Sequence, residues 1–356
     1  MTEARVTLDL SLALAPRVGG GVPEASLRAH PRTAVAVPAV LAAVEKDQLG
    51  FWTLPDDTAL AARVRELAAQ LRERFDRLVI LGSGGSSLGG RMLLEALAAE
   101  PGRVLLVDNV DPVRFERTLA SLDLERTAFN VISKSGGTVE TAAQFVVLRD
   151  RLRRAFGDEG YRARVIATTD DAKGLMREIA DADGLRTLPI PDNVGGRFSV
   201  LTAVGLLPAA YAGIDLEQLQ AGARSMRSRC TSSDLSLNLA LAHAALHHLA
   251  DTTLRRPIHV VMPYCDRLRP FGEWYCQLWG ESLGKARTRD GKRVHLGPTP
   301  VVAVGSTDQH SQIQLYVEGP EDKVVTFLRL EEPEELVPFP AEAPAGYAYL
   351  QGHTMA

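Results

Sequence analysis

The chain has 356 residues, a formal net charge of −4 and 46% apolar residues, a composition typical of globular proteins. A chain of this length is longer than a single small domain, and it favours two domains. The small negative charge gives no reason to expect nucleic acid or an anionic membrane as a partner.

The three cysteines and the N-terminus indicate a cellular compartment. Cys230, Cys265 and Cys276 form no CxxC pair, which favours a reducing compartment without structural disulfides or a structural zinc site. No basic region leads the first apolar residues, and no run approaches the length of a membrane span. We therefore expect a cytoplasmic protein without a membrane association.

The first 50 residues are mixed in character and are predicted to form an N-terminal arm, 1–50. The alternating segment Val6–Leu14 is a candidate edge strand, and Gly19–Gly21 predicts a turn. An amphipathic helix follows, with Asp56 or Asp57 as its N-cap. Its apolar positions recur at helical spacing: Leu60, Val64, Leu67, Leu71 and Phe75.

Short apolar runs then alternate with helical patterns, as in repeated βαβ units. The predicted buried strands are Leu78–Leu81, Val104–Val107, Asn130–Ile132 and Arg164–Ala167. The predicted helices are Leu88–Ala99, Pro112–Ser121, Val139–Phe156 and Ala172–Ala180. This alternation predicts an α/β fold with a doubly wound parallel sheet, in which ligands bind at the carboxyl ends of the strands.

A second, smaller α/β unit follows a boundary near residues 190–215. Helices are predicted at Val200–Ala212 and Leu237–Ala250, and strands at Ile258–Met262, Val301–Val304 and Val324–Leu328. We therefore divide the chain into a first domain, 51–212, and a second, smaller domain, 213–356.

A glycine-rich turn follows the first predicted strand, in LVILGSGGSSLGG (Leu78–Gly90). Glycines let the backbone approach an anion, and free N–H groups at a helix start favour negative charge. The turn has neither the Walker pattern nor the spacing of a dinucleotide fingerprint. It is either a tight strand-to-helix turn or an anion-binding loop with Ser83, Ser86 and Ser87 as donors.

A second loop of this kind, FNVISKSGGTVET (Phe129–Thr141), strengthens the second interpretation. Ser133, Ser135 and Thr138 can donate to phosphate oxygens, and Lys134 can add positive charge. Loops that follow neighbouring parallel strands open on one pocket. Serine and threonine donors suit a sugar phosphomonoester better than a triphosphate.

Three further segments carry candidate catalytic residues, and each has a structural alternative. Glu281 lies in GEWYCQLWGESLGK beside aromatic residues, where an acid is either a general base or a solvated helix residue. Arg197 in VGGRFSVLTAVGLLP either stabilises an oxyanion or forms an ion pair at a domain junction. His310 in GSTDQHSQIQLY is either an acid/base catalyst or part of a local hydrogen-bond network.

A metal site is not predicted. His243 and His247 have the i, i+4 spacing of two ligands on one helix, but the HExxH pattern is absent and no third ligand is evident. His259, beside an apolar strand, is interpreted as structural.

Five segments, in their order along the chain, resemble the glucose-6-phosphate isomerase (phosphoglucose isomerase) family in its short bacterial form. They are LGSGGSSLGG, SKSGGTVET, VGGRFSVLTAVGLLP, GEWYCQLWGESLGK and GSTDQHSQIQLY. The resemblance covers roughly residues 50–320. It implies two sugar isomerase (SIS) domains, each a doubly wound parallel sheet flanked by helices. It also implies reversible isomerisation of glucose 6-phosphate and fructose 6-phosphate without a cofactor, in a homodimer.

The resemblance also implies roles for individual residues. Glu281 would be the base, Arg197 would stabilise the enediolate, and His310 would reach in from the neighbouring subunit to open the sugar ring. The phosphate would lie against four hydroxyl groups with Lys134 nearby, and three further residues would shape the pocket. The hydroxyl residues are Ser86, Ser133, Ser135 and Thr138, and the pocket residues are Gln277, Gly84 and Gly85.

Members of this family continue past the segment that corresponds to Gly352–Met355, and their continuation contains a lysine that joins the histidine in ring opening. From the resemblance we expect a second domain that is incomplete at its C-terminus, with ring opening and dimer packing affected more than the base and the phosphate site. Two alternatives stay open. The small residues Ser135–Thr138 would suit a dual phosphoglucose/phosphomannose isomerase, and the same domains would also suit a non-catalytic sugar-phosphate sensor.

Overall fold

The N-terminal segment forms a small parallel strand pair. The computed structural model describes residues 6–355, and its first strands are β1 (Leu14–Ala15) and β2 (Val22–Pro23). The edge strand predicted over Val6–Leu14 is wrong except at its last residue, because the chain turns back where the Ala13 amide donates to the Leu10 carbonyl. Helices α1 (Glu24–Arg28) and α2 (Thr33–Glu45) follow.

Helix α3 (Thr58–Arg74) confirms the predicted amphipathic helix. Of the two cap candidates, Asp57 accepts from the Leu60 amide at 2.9 Å, whereas Asp56 pairs with Arg227 at 2.7 Å. The predicted apolar positions are buried against the first sheet.

The larger sheet has five parallel strands in the order β4-β3-β5-β6-β7. Their bounds are β3 (Arg77–Leu81), β4 (Val104–Val107), β5 (Thr127–Ile132), β6 (Val165–Thr169) and β7 (Arg186–Pro189). In the register of the central strand, Leu78 lies opposite Val104 on one side and Ala128 on the other. Strand β7 was not predicted, since RTLP is short and ends in proline at a sheet edge.

Helices cover both faces of this sheet. Along the chain they are α4 (Leu88–Leu97), α5 (Pro112–Ala120), α6 (Val139–Arg164), α7 (Leu175–Asp183), α8 (Ala203–Tyr211) and α9 (Leu216–Cys230). Because side chains alternate along a strand, Leu78 and Ile80 enter one core while Val79 and Leu81 enter the other. The continuous apolar runs read from the sequence are thus buried on both faces.

A smaller parallel sheet of order β11-β8-β12 lies in the second half of the chain. The elements there are α10 (Leu239–Thr252), β8 (Ile258–Pro263), α11 (Arg269–Leu283), β9 (Lys285–Arg287), β10 (Arg293–Leu296), β11 (Thr299–Val302), α12 (Ile313–Glu318) and β12 (Lys323–Leu328). Strands β9 and β10 form a separate antiparallel pair.

Helix α11 joins the two units, because it packs against α4 and against the Gly196–Leu201 turn. Arg267, just before this helix, donates to the carbonyls of Glu95 and Ala96 at 3.0 and 2.8 Å. Two helix-flanked parallel sheets confirm the predicted α/β fold class. The proposed division at residue 212 stays a prediction, and Leu216 beyond it is buried in the core of the first sheet.

Among residues 6–355, no helix combines the length and apolarity needed to cross a membrane.

Candidate active site

The first glycine-rich loop follows β3 and folds into a single 3-10 turn, Gly84–Ser86. Ser83 and Ser87 are engaged internally, with their hydroxyls donating to the carbonyls of Asp108 at 3.0 Å and Gly84 at 3.2 Å. Within residues 6–355 the half-buried Ser86 hydroxyl has no such partner. Of the three serines considered from the sequence, Ser86 is therefore the one free to donate to a ligand.

Gly84 and Gly85 bring this loop into contact with two other parts of the site. Gly84 has a φ of +59°, and a Cβ placed there would lie 3.1 Å from Nε2 of Gln277. A Cβ on Gly85 would lie 2.3 Å from the carbonyl of Gly196 and 2.8 Å from the amide of Arg197. No side chain fits between these two backbones, so glycine is required at Gly85.

The second loop follows β5 and presents hydroxyl groups at the start of α6. The oxygens of Ser133 and Ser135 accept from the amides of Gly136 and Gly137 at 3.1 and 3.2 Å. Their hydrogens remain available for a ligand, because a hydroxyl donates and accepts at once. Thr138 is the N-cap of α6 but makes no side-chain cap hydrogen bond. These hydroxyls and the unpaired helix amides form a site suited to an anion.

The two loops leave the same edge of the sheet, since β3 and β5 are adjacent and parallel. They are close as well: a Cβ on Gly82 would lie 2.8 Å from Cβ of Ser86 and 3.3 Å from Cβ of Ile132. The structure thus places the four predicted hydroxyl residues at one edge. Their contact with phosphate stays a prediction.

Lys134 lies beside this loop, but its ammonium group points at backbone carbonyls. It donates to Pro191, Asp192 and Val194 at 3.0, 2.8 and 3.2 Å. An ammonium has three N–H donors, so none remains for phosphate in this arrangement. The lysine instead ties the second loop to the segment that precedes Arg197. This connection has no local sequence signal, because the carbonyls lie far away along the chain.

Arg197 and Glu281 lie together, as their candidate roles require. The Arg197 Nη1 is 3.5 Å from Oε2 of Glu281, and its Nε donates to the Ser282 hydroxyl at 3.0 Å. Gln277 donates to Oε1 of Glu281 at 2.9 Å. One carboxylate thus contacts a cation and an amide, and about half of its side-chain surface stays exposed. Sequence reasoning missed Ser282, although a hydroxyl directly after the acid was a signal.

The surroundings of Glu281 differ from those expected from its neighbours in sequence. Gln277 and Glu281 are one turn apart on α11, whereas Tyr275 and Trp279 stack on each other at 5.5 Å near His259. At about 100° per residue these pairs project from opposite faces of the helix. Glu281 therefore projects away from Tyr275 and Trp279, and its side-chain hydrogen-bond partners are Arg197 and Gln277.

His310 lies apart from this group. It ends the short turn Thr307–Gln309, and it is exposed. The turn is held by Asp308, which accepts from the Val304 amide at 2.7 Å and from the Ser311 hydroxyl at 2.8 Å. Within residues 6–355 the His310 ring has no hydrogen bond to Glu281, Arg197 or any other side chain. Its proposed role in ring opening therefore stays a prediction.

Solved structures resemble this fold. A hypothetical protein from Thermus thermophilus aligns with a TM-score of 0.86 and 38% identity, over 94% of this chain and 79% of that one. A glucose-6-phosphate isomerase from Chlamydia trachomatis aligns with a TM-score of 0.68 and 28% identity, over 76% of this chain and 53% of that one. A tagatose-6-phosphate ketose/aldose isomerase from Escherichia coli has a TM-score of 0.51 and 14% identity, and this similarity concerns the fold alone. The fold and the loop-lined edge define a protein of the SIS-domain class.

Sequence comparison narrows this class. The family model for phosphoglucose isomerase matches residues 60–329. A glucose-6-phosphate isomerase of Carboxydothermus hydrogenoformans is 43% identical over 87% of this chain and 70% of the relative. A glucose-6-phosphate isomerase of Rubrobacter xylanophilus is 42% identical over 99% of this chain and 81% of the relative. The chain belongs to the phosphoglucose isomerase family, as its motifs predicted.

Proposed function

We propose that this chain interconverts glucose 6-phosphate and fructose 6-phosphate by proton transfer through an enediolate. The contact of Glu281 with Arg197 and Gln277 carries the proposal. Moving a proton between C2 and C1 needs one positioned base and a cation for the charge that develops on oxygen. Among the named relatives, those of Carboxydothermus and Rubrobacter are glucose-6-phosphate isomerases.

In the proposed mechanism, the carboxylate of Glu281 removes the proton from C2 of the open-chain aldose and delivers it to C1, while the hydroxyl proton passes from O2 to O1, so that C1 becomes the alcohol carbon and C2 the carbonyl carbon. The guanidinium of Arg197 stabilises the enediolate oxygen, and Ser282 keeps the guanidinium in place. Gln277 holds the second carboxylate oxygen, so that the other oxygen faces the sugar. No step requires a redox cofactor, because the electrons stay within the substrate.

The phosphate would lie at the edge where β3 and β5 end, as a ligand of the Ser86, Ser133, Ser135 and Thr138 hydroxyls. The backbone contact between Gly85 and Gly196 holds this cradle beside the base. Phosphate binding in the first unit would thus fix the position of C1 and C2 against a helix of the second unit.

We further propose a homodimer in which His310 of the partner subunit opens the sugar ring, and a cytoplasmic location. The exposed position of His310 and the exposed apolar residues Leu315, Val317 and Phe327 support an assembly. Three cysteines without disulfides support a reducing compartment. Light scattering after size exclusion would test the assembly: a monomer at assay concentrations would contradict it.

A coupled assay with fructose 6-phosphate tests the activity, with the reaction run in D₂O. We expect glucose 6-phosphate to form and to carry deuterium at C2, because the enediolate exchanges its proton with solvent. Turnover with full retention of the substrate hydrogen would contradict the proton-transfer route, and binding without turnover would contradict the isomerase.

A further inference from the structure

Three histidines lie together behind α11, on the side away from Glu281. His243 and His247 are one turn apart on α10, and His259 lies on β8, the central strand of the smaller sheet. Their candidate ligand nitrogens all lie within 4.8 Å of one another. His247 and His259 are 6% and 1% exposed, so this cluster belongs to the interior. The sequence showed only the first two members, because the third is brought in by the sheet.

The hydrogen bonds of this cluster are incomplete. His259 has partners on both ring nitrogens, the Thr326 hydroxyl at 2.9 Å and the Tyr275 hydroxyl at 3.2 Å. The same Thr326 hydroxyl is 3.5 Å from Nε2 of His243. Nε2 of His247 is buried and has no partner. Since buried polar atoms are nearly always paired, this unpaired nitrogen points to a ligand.

Aromatic side chains enclose the cluster, and the Tyr275 ring is 5.4 Å from the His259 ring. The Trp279 ring, 4.7 Å from the His259 ring, closes one side of the cluster.

We propose that His243, His247 and His259 bind one Zn²⁺ ion. Three neutral nitrogen donors suit zinc and its neighbours cobalt and nickel, and they do not suit Mg²⁺ or Ca²⁺, which prefer oxygen. Zn–N distances near 2.0–2.1 Å imply nitrogens roughly 3.3 Å apart in a tetrahedron. The widest pair must therefore approach, and His243, the least buried of the three, is the one most free to rotate. One ring nitrogen of His259 must also exchange its hydroxyl partner, Thr326 or Tyr275, for the ion.

The position of the site determines what the ion would do. Tyr275 and Trp279 of α11 border the cluster, while Gln277 and Glu281 project from the opposite face of the same helix. An ion held between α10 and β8 would brace this helix from behind without touching the substrate. The metal proposal is independent of the proposed isomerisation, and each can fail without the other.

Cobalt titration of the chelator-treated full chain tests this site, because tetrahedral Co²⁺ has a distinctive visible spectrum. The variants are His247→Gln and His243→Gln. The control is His248→Gln, on the next residue of α10, whose ring nitrogen is 3.1 Å from His30 and outside the cluster. Equilibrium dialysis gives the stoichiometry, and isomerase assays on the same samples are read separately.

We expect one Co²⁺ per chain, displaced by Zn²⁺, with binding at least about tenfold weaker in both cluster variants and unchanged in His248→Gln. Zinc at about a hundredfold excess over its Kd should raise Tm by roughly 3–5 °C. If His247→Gln does not fold, the cobalt affinity of His243→Gln tests the proposal. Absence of saturable cobalt binding in the wild type, or equal binding in the cluster variants, would overturn the proposal.

Discussion

The two parallel sheets of this chain differ in how completely they are buried. In the larger sheet every residue of β5 and β6 is buried, whereas in the smaller sheet only the central strand β8 is largely buried and no residue of the edge strand β12 is. The loops proposed to hold the phosphate follow strands β3 and β5 of the larger sheet. The base and the histidine stand on the smaller unit. The proposed phosphate site thus lies on the larger unit, while the proposed base lies on the smaller one and Arg197 reaches it from the larger unit.

The sharpest test of this division exchanges Glu281 for glutamine. We expect turnover to fall by about 10²–10⁴-fold, since the base is lost while shape is kept, and the affinity for a sugar phosphate to be retained. Steady-state kinetics with a separate binding measurement would show this. Glu273→Gln, with the same charge change on the same helix, serves as the control.

The complementary change in the larger unit is Thr138→Val, which removes one of the hydroxyls proposed to hold the phosphate. It should raise KM with little effect on kcat. If Glu281→Gln weakens binding as strongly as it slows turnover, binding and chemistry are not divided between the two units.

The buried ion cluster at Asp183 should make the larger unit sensitive to acid. Asp183 accepts from Arg149 at 2.6 Å and from the Tyr161 hydroxyl at 2.9 Å, and the Arg149 guanidinium chiefly holds the pKa of this carboxyl below its usual range. A lowered folded-state pKa gives stability that is present above the unfolded pKa, about 3.9, and lost as pH falls through the folded pKa.

Asp183→Asn should therefore cost roughly 2–3 kcal/mol at neutral pH, reduced from the value for fully buried pairs because Arg149 is partly exposed. It should also flatten the decline of stability below about pH 4. Urea unfolding at several pH values measures both effects. If the free energy of unfolding falls equally with pH in wild type and variant, Asp183 does not cause the loss of stability in acid.

The same truncation in the two sheets compares their burial directly. Val131 in β5 is 0% exposed, and Val325 in β12 is partly exposed. We expect Val131→Ala to cost about 2–3 kcal/mol and Val325→Ala about 1 kcal/mol in unfolding experiments. Equal losses would break the comparison and would indicate that another chain covers β12 in solution.

The smallest expected effect concerns Ser282. Removing its hydroxyl leaves Arg197 with one fewer partner, and a partly exposed bond of this kind contributes about 1 kcal/mol. Ser282→Ala should lower kcat roughly fivefold with KM nearly unchanged, and Ser282→Thr should restore it. Loss of affinity in place of turnover would show that Ser282 contacts the phosphate side of the site.

The fold was predictable from the sequence where burial is complete. The runs around Leu78, Val104 and Ile258 became strands because apolar residues continuous on both faces have few alternatives. Helix α9 was missed although Asp215 caps it, with its carboxylate accepting from the backbone amide of Glu217 at 2.9 Å, because the segment SMRSRC is polar. Strands β9 and β10 were missed because they are mostly exposed.

The candidate site was predictable only where its motifs are local. The SGGT turn and the Gln277–Glu281 pair can be read directly from residues close in the chain. The carbonyls that hold Lys134 and the approach of His259 to His243 depend on which strands become neighbours. These contacts arise from topology, and a single sequence carries no local mark of them.

The meeting of Gly85 with Gly196 has a consequence for changing what this protein accepts. At that point the pocket wall is main chain against main chain, so no choice of side chain can widen or narrow it. A larger or branched substrate would have to be accommodated at Gln277 or in the turn Ser135–Thr138. Libraries for altered selectivity should randomise those positions and leave Gly85 untouched, because a Cβ there would meet the Gly196 backbone at 2.3 Å.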